Sequence, residues 1–504
     1  MSESPSYYPK NHGQDLTDWF VKHAFSVADL VDLLASAEIV EKPKQNDRSP
    51  GVERFFNGRK FAPALLTKAI MEDVDIVSDP ESGLVYRWEG RYWEPYDLAF
   101  IRQKALRMLE DEASSSKADD VARMIRDLST LPVGREFNDN KDLICLQNGM
   151  FNLRTGEVLP HDKKYFTTHM LPIEFDPENV PDCPSWKERL REWNPADAVI
   201  RELQKFFGYC LTRETRYEKM LLLYGPGGDG KSTVMKILRA LVGEQNCSHI
   251  PMGRLEDQFY LSRLVDKLVN MSTEVESRAM QSQEIKAIVS GDPISASFKN
   301  QTPFDFEPFC KLVYSTNRLP KMLDNSDGFF RKIMIIEFKG QFVKRKRANI
   351  FLYDELIQEL PGIFAWALAG LVMLRDEGFS EVAEMQSSLQ DYKRMNNNIL
   401  YYIEKHVEAD PRGKAGKDAL YEDYVKRCRS WNLLPIGEPQ FRREFNRLLD
   451  EKCIDVRDGK LPRDEMSGRR PNAYAGIRLV EEKCHGEEPD AFPPPPSPSA
   501  GGAS

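Results

Sequence analysis

The sequence predicts an α/β fold built on a mostly parallel sheet, and three observations carry that reading. Apolar runs of strand length recur at Met220 to Tyr224, Lys267 to Met271, Lys311 to Ser315 and Ile333 to Glu337. Stretches with helical spacing separate them. A glycine-rich turn joins the first run directly to a helical stretch, Val234 to Val242. Strands that alternate with helices are the pattern of parallel sheets.

The remaining elements follow in chain order. Met1 to Gln14 is polar and without period. Asp15 to Glu41 carries Trp19, Phe20, Ala24, Val27, Leu30, Val31 and Leu34 at helical spacing, and Lys42 to Gly51 has linker composition. Pro63 to Asp73, Leu98 to Glu112 and Asp119 to Leu131 are expected as helices. Leu84 to Trp88 and Arg91 to Trp93 flank Glu89-Gly90 as a hairpin. Leu143 to Asn152 turns at Asn148-Gly149, and a helix from Ala196 to Leu211 leads into the sheet. Helices and then short strands fill Glu381 to Val480. The tail from Gly486, rich in Pro, Ser and Gly, is expected to be disordered. The expected boundaries are 1–54 (helical segment and linker), 55–195 (α+β), 196–375 (sheet domain), 381–480 (winged-helix-like) and 481–504 (tail).

Composition bounds the function. With 504 residues, 41% hydrophobic and 30% charged, the chain has the make-up of a globular protein of several domains. A net charge of −9 argues against a protein that coats nucleic acid, but not against a motor that grips it through local basic groups. The eight cysteines include no Cys-x-x-Cys pair, which disfavours a zinc ribbon and suits a reduced compartment. The longest apolar run, Gly362 to Leu374, is short of the roughly 20 residues of a membrane span. It is expected as a buried helix, and the protein as cytoplasmic, with no membrane partner.

Chemistry concentrates in Gly225-Pro226-Gly227-Gly228-Asp229-Gly230-Lys231-Ser232-Thr233, a G-x-x-x-x-G-K-S pattern with a strand before it and a helix after it. Glycines let backbone N–H groups curl around phosphate oxygens, and the helix start adds positive potential. Lys231 is expected on the β and γ phosphates of ATP, and the Ser232 hydroxyl on Mg²⁺. Glu274, just past the second strand, is the candidate for the catalytic acid and second Mg²⁺ ligand, with Glu276 as the weaker candidate. Asn317 follows the third strand, where an amide would sense the γ-phosphate. Arg331 precedes the fourth strand as a candidate arginine finger. Between them, Ile294 to Phe309 alternates around Asn300 to Pro303 as a hairpin that carries Lys299, a candidate DNA contact. A second candidate DNA surface is the helix Phe441 to Asp450, with Arg442, Arg443 and Arg447, in an order of elements that suggests a winged helix.

The order of these motifs resembles the superfamily 3 helicases, specifically the helicase part of phage and plasmid (poxvirus-type) primase–helicases. Gly225 to Thr233, Leu268 to Glu276, Gly291-Asp292, Val313 to Asn317 and Gly328 to Phe338 carry the likeness. Asp142 to Glu157 and Phe207-Gly208-Tyr209 extend it upstream. The resemblance implies an AAA+-like P-loop ATPase core and a homo-hexameric ring with ATP between subunits. It also implies 3′-to-5′ movement on single-stranded and forked DNA. By position it makes Glu274 the catalytic acid, Asn317 the sensor and Arg331 the residue acting in trans. Lys332 stands beside Arg331, so the choice of finger is open. The family often has Asn where this chain has Asp229, and an acid there repels a triphosphate unless it is paired. The stretch before Phe61 is short for a catalytic domain. A helicase portion without its primase is therefore expected, served by a separate primase or host replication proteins. Two rival readings stay open: an ATP-dependent origin-binding initiator or loader, and a nucleotide-switched winged-helix DNA-binding protein.

Overall fold

The computed structural model describes residues 48–80, 82–273, 282–299, 302–322, 324, 326–339, 349, 351–431, 433–463 and 470–480. The chain separates into two units, 1–73 with 98–125, and 74–97 with 126–504.

Among its described residues the first unit is mainly helical, with a short antiparallel pair, Phe56–Asn57 with Lys60–Phe61. Its longer helices are α1 (Pro63–Asp73), α2 (Leu98–Leu109) and most of α3 (Ser115–Leu128). Leu66, Ile70, Ile101, Ala105 and Val121 recur at helical spacing and are buried. Helix α3 starts earlier than its apolar pattern suggests, because the Ser114 hydroxyl accepts a hydrogen bond from the Lys117 N–H and caps the first turn. It also ends before the expected Leu131.

In the second unit, β1 (Ile76–Ser78), β2 (Val85–Trp88) and β3 (Trp93–Pro95) form an antiparallel sheet with the expected β2–β3 hairpin. Leu131 donates to Ser78 O as the chain runs beside β1, which draws it out of helix α3. Strands β4 (Leu143–Leu146) and β5 (Gly149–Asn152) form the second hairpin. Helices α4 (Pro184–Trp193) and α5 (Asp197–Cys210) lead into the central sheet.

That sheet is wholly parallel. Its strands are β6 (Met220–Tyr224), β7 (Cys247–Ser248), β8 (Val269–Ser272), β11 (Lys311–Thr316) and β12 (Ile333–Glu337), in the order β7-β8-β11-β6-β12. Both faces are covered, so β6 and β12 are nearly continuous apolar runs rather than alternating ones. Leu221 and Leu223 of β6 join one core, and Met220 and Leu222 the other. Helix α6 (Lys231–Val242) follows β6, and α7 (Gln283–Ser290) precedes a short hairpin, β9 (Ile294–Ala296) with β10 (Phe304–Phe306).

The apolar run Gly362 to Leu374 lies inside helix α8 (Leu360–Glu377), which packs along α5. Side chains at Gly208 and Gly370 would strike the facing backbone, so two glycines set how closely these helices approach. Among the described residues no helix is long and apolar enough to cross a membrane. Six of the seven described cysteines are buried, as packing residues, and none of the described ones is in a disulfide.

Helix α9 (Ala383–Asn396) packs against β12, and its buried Tyr392 donates to Pro320 O at 2.8 Å. A separate core then gathers α10 (Asn398–His406), β13 (Val407–Gly416), α11 (Lys417–Ser430), α12 (Glu438–Glu451), β14 (Arg457–Lys460) and β15 (Asn472–Leu479). The strands pair antiparallel in the order β13-β15-β14.

Candidate functional site

The glycine-rich loop leaves the C-terminal end of β6 at Gly225 and enters α6 at Lys231. Gly227, Gly228 and Gly230 have φ of 99°, 66° and 101°, values that favour glycine. Gly230 has a second constraint: a Cβ there would meet the Trp193 ring at 2.5 Å. Helix α4 thus ends on an aromatic floor beneath the loop, and Asn194 Nδ2 donates to Glu337 O at 3.2 Å just beyond it.

Lys231 is buried. Its Nζ donates to Gly225 O at 2.9 Å and to Asp229 Oδ2 at 2.5 Å. Asp229 is equally buried, and the same Oδ2 accepts from the Gly227 N–H at 3.3 Å. The acid that departs from the usual loop is therefore paired, within the loop itself. Ser232 is exposed on the first turn of α6 and lines a cleft of about 370 Å³ with Ser272 and Thr273, at the end of β8. An exposed hydroxyl that shares a cleft with the end of β8 suits a Mg²⁺ ligand. Glu274 and Glu276 come next in the sequence and lie outside the described residues.

Asn317 follows β11, which pairs directly with β6. It is exposed, and a Cβ placed on Gly227 would lie 3.7 Å from its Nδ2 and 3.8 Å from its Oδ1. The candidate sensor thus stands over the loop. At the other end of β11, burial pushes the Lys311 ammonium down to about 8, and its Nζ donates to Phe309 O and Thr212 O.

Arg331 and Lys332 separate sharply. Lys332 is buried and its Nζ is held by Glu218 Oε2 and Ser290 Oγ, both at 2.6 Å. The Arg331 side chain is 71% exposed, with a loose 4.0 Å contact to Glu218. Lys332 O accepts from Met220 N, so both residues sit at the N-terminal end of the β6–β12 pair. Five residues of strand, at roughly 3.3 Å each, put Arg331 about 16 Å along the sheet from its own loop. Glu218 as the clamp on Lys332 had no sequence signal, because the contact is long-range and the residue lies in a turn.

The candidate DNA contacts are dispersed. Lys299 is exposed beyond β9, next to Phe298, whose ring stacks on Phe304 at 5.1 Å. On α12, Arg442 is paired with Asp418 at 2.7 Å and with Glu438. Arg447 is paired with Glu444 and Glu451. Arg443 is exposed, with no ion pair among the described residues.

Two family models match the chain. Residues 64–193 match "D5 N terminal like", and residues 223–332, which include the loop, match a family of unknown function (DUF5906). The chain is 25% identical over 244 residues to "Putative helicase L207/L206" of Acanthamoeba polyphaga mimivirus, covering 46% of this chain and 25% of the relative. It is 22% identical over 342 residues to "Putative helicase 184R" of Invertebrate iridescent virus 6, covering 58% and 34%. The chain thus spans a quarter to a third of the length of these relatives. In fold it is similar to the apo structure of the NrS-1 C terminal region, with a TM-score of 0.50 at 14% identity, over 82% of this chain and 99% of that one. The upstream match and the viral relatives, with a glycine-rich loop in its strand–helix setting, make the chain similar to the phage and viral primase–helicases.

Proposed function

We propose that the chain is the ATP-driven motor of a DNA helicase that acts in phage or mobile-element replication, moving 3′ to 5′ on single-stranded DNA. One observation carries this reading: the Asn317 amide stands over the glycine loop, while Arg331 is exposed at the opposite end of the same sheet. A loop and sensor that stand together while the exposed cation stands far off suit an ATPase completed by a neighbouring subunit. The strand order, with the loop strand inside a five-stranded parallel sheet, supports an AAA+-like core. Three helices with three antiparallel strands, in the order helix, strand, helix, helix, strand, strand, support a winged-helix module at the C-terminal end.

The residues divide the chemistry as follows. Backbone N–H groups of the curled loop and the Lys231 ammonium bind the β and γ phosphates of ATP. Ser232 and Glu274 would hold Mg²⁺, which would supply charge neutralisation for the phosphates. Glu274 takes the proton of the attacking water, and Asn317 orients that water against the γ-phosphate. Arg331 of an adjacent subunit steadies the charge that develops in transfer, an effect worth about 10³ to 10⁵ in rate for such fingers. In a hexamer, Lys299 at the hairpin would meet DNA phosphates.

The test is strand displacement on forked and singly tailed duplexes with Mg²⁺ and ATP, with Lys231→Ala as control. Unwinding from a 3′ tail that the variant loses is the expected result. DNA-stimulated hydrolysis without unwinding would transfer the assignment to an initiator or loader.

A further inference from the structure

We propose that Asp229 is an internal competitor of the nucleotide phosphates, a carboxylate that holds Lys231 until a triphosphate displaces it. This rests on the nucleotide-binding reading above and goes beyond it, because it assigns a function to the residue that departs from the usual loop.

The geometry commits three parts of the loop to one carboxylate. Lys231 Nζ gives it a charge-assisted hydrogen bond at 2.5 Å. The Gly227 N–H, one of the donors that would otherwise face a phosphate oxygen, donates to the same Oδ2 at 3.3 Å. Gly225 lacks the side chain that would occupy the carboxylate's place: a Cβ there would strike both Asp229 Oδ2 and the Phe338 carbonyl. The contact is sealed from solvent, with 4% exposure for the lysine side chain and 3% for the aspartate. Screening is weak in such a place, so the pair is not an exposed contact of negligible strength.

A bound triphosphate must therefore take from Asp229 what it uses itself. The lysine charge is already neutralised, and turning Lys231 and the Gly227 N–H toward phosphate leaves a buried carboxylate short of partners beside new negative charge. Both effects weaken binding. They act on any nucleotide that needs Lys231, so ADP is also held less tightly and leaves sooner.

The experiment measures the affinity of the full chain for ADP and for a non-hydrolysable ATP analogue with Mg²⁺, for wild type, Asp229→Asn, Asp229→Thr and Lys231→Ala. Asn keeps the shape and Thr keeps a small polar group, and each removes the charge. Both are expected to bind about ten-fold more tightly than wild type, a change of about 1.4 kcal/mol. Each should also show a larger rise in melting temperature on nucleotide addition. Equal or weaker binding by both neutral variants, with wild type binding and Lys231→Ala not, would overturn the competitor while leaving the nucleotide site in place. Binding by none of the four proteins would overturn the nucleotide reading itself.

Discussion

At the scale of the residue, charge placed out of water decides most of what this unit can tolerate. Lys205 of α5 is fully buried, and its Nζ is shared by Glu202 at 2.7 Å, Gly378 O at 2.9 Å and Ser380 Oγ at 3.0 Å. Replacing it with Met strands the equally buried Glu202. A destabilisation of about 3–5 kcal/mol is expected in denaturant unfolding, since removing one partner of a buried pair leaves the other charge uncompensated. The proposed nucleotide site follows the same logic on a smaller scale. The loop around Lys231 stands out in the sequence because the spacing of glycines, lysine and serine is local. The Asp229 pairing was only half legible. The sequence showed an acid where a phosphate is expected, but not that the loop's curl brings its carboxylate onto the lysine. Lys332 was ambiguous for a related reason: whether a cation is exposed or clamped depends on Glu218 and Ser290, which no short pattern connects to it. Glu274 is read from its place after β8 and from the order of motifs.

At the scale of the element, strands are more legible than the ends of helices. The runs at Met220 to Tyr224 and Ile333 to Glu337 match their strands residue for residue, because a strand buried on both faces has no polar interruption to blur its limits. Helix α3 departs from its apolar spacing at both ends, since a capping serine and a pairing with β1 set its limits instead. The closeness of α5 and α8 was also hidden. Gly208 and Gly370 lie far apart in sequence, and only the fold reveals that they face opposing backbone. The β9–β10 hairpin was legible from alternation, and it offers a direct test of DNA binding. Lys299→Ala is expected to weaken the grip on single-stranded DNA and to make the slope of log affinity against log salt shallower by about one for each phosphate the lysine had neutralised. Titration at several salt concentrations checks this, and an unchanged slope would remove Lys299 from the interface. On α12, Arg442 and Arg447 already have acidic partners, which leaves Arg443 the better placed of the three for a phosphate.

At the scale of the whole molecule, the proposed cycle needs more than one copy of the chain. If Arg331 acts on a neighbour's site, Arg331→Ala and Lys231→Ala subunits are each inactive alone for different reasons. Mixed in equal amounts they should recover part of the hydrolysis rate, because a Lys231→Ala subunit still offers its arginine to an intact loop on an Arg331→Ala subunit. Steady-state ATPase of the mixture against each pure variant checks this, and no recovery at any ratio would argue that the arginine serves its own chain. The sequence supplied the motifs for this arrangement but not their separation. That follows from β6 and β12 running parallel, so that the residue entering β12 and the loop leaving β6 fall at opposite ends of one pair of strands.

That separation gives each subunit a direction. If Arg331 serves a neighbour's loop, one end receives and the other donates, and copies that follow one another head to tail bring each donor to a receiver. Such a head-to-tail arrangement closes without loose ends as a ring. A solitary subunit would then be nearly silent, and hydrolysis per chain would climb with protein concentration until assembly is complete. Dilution would act as an off switch that no mutation or inhibitor is needed to throw.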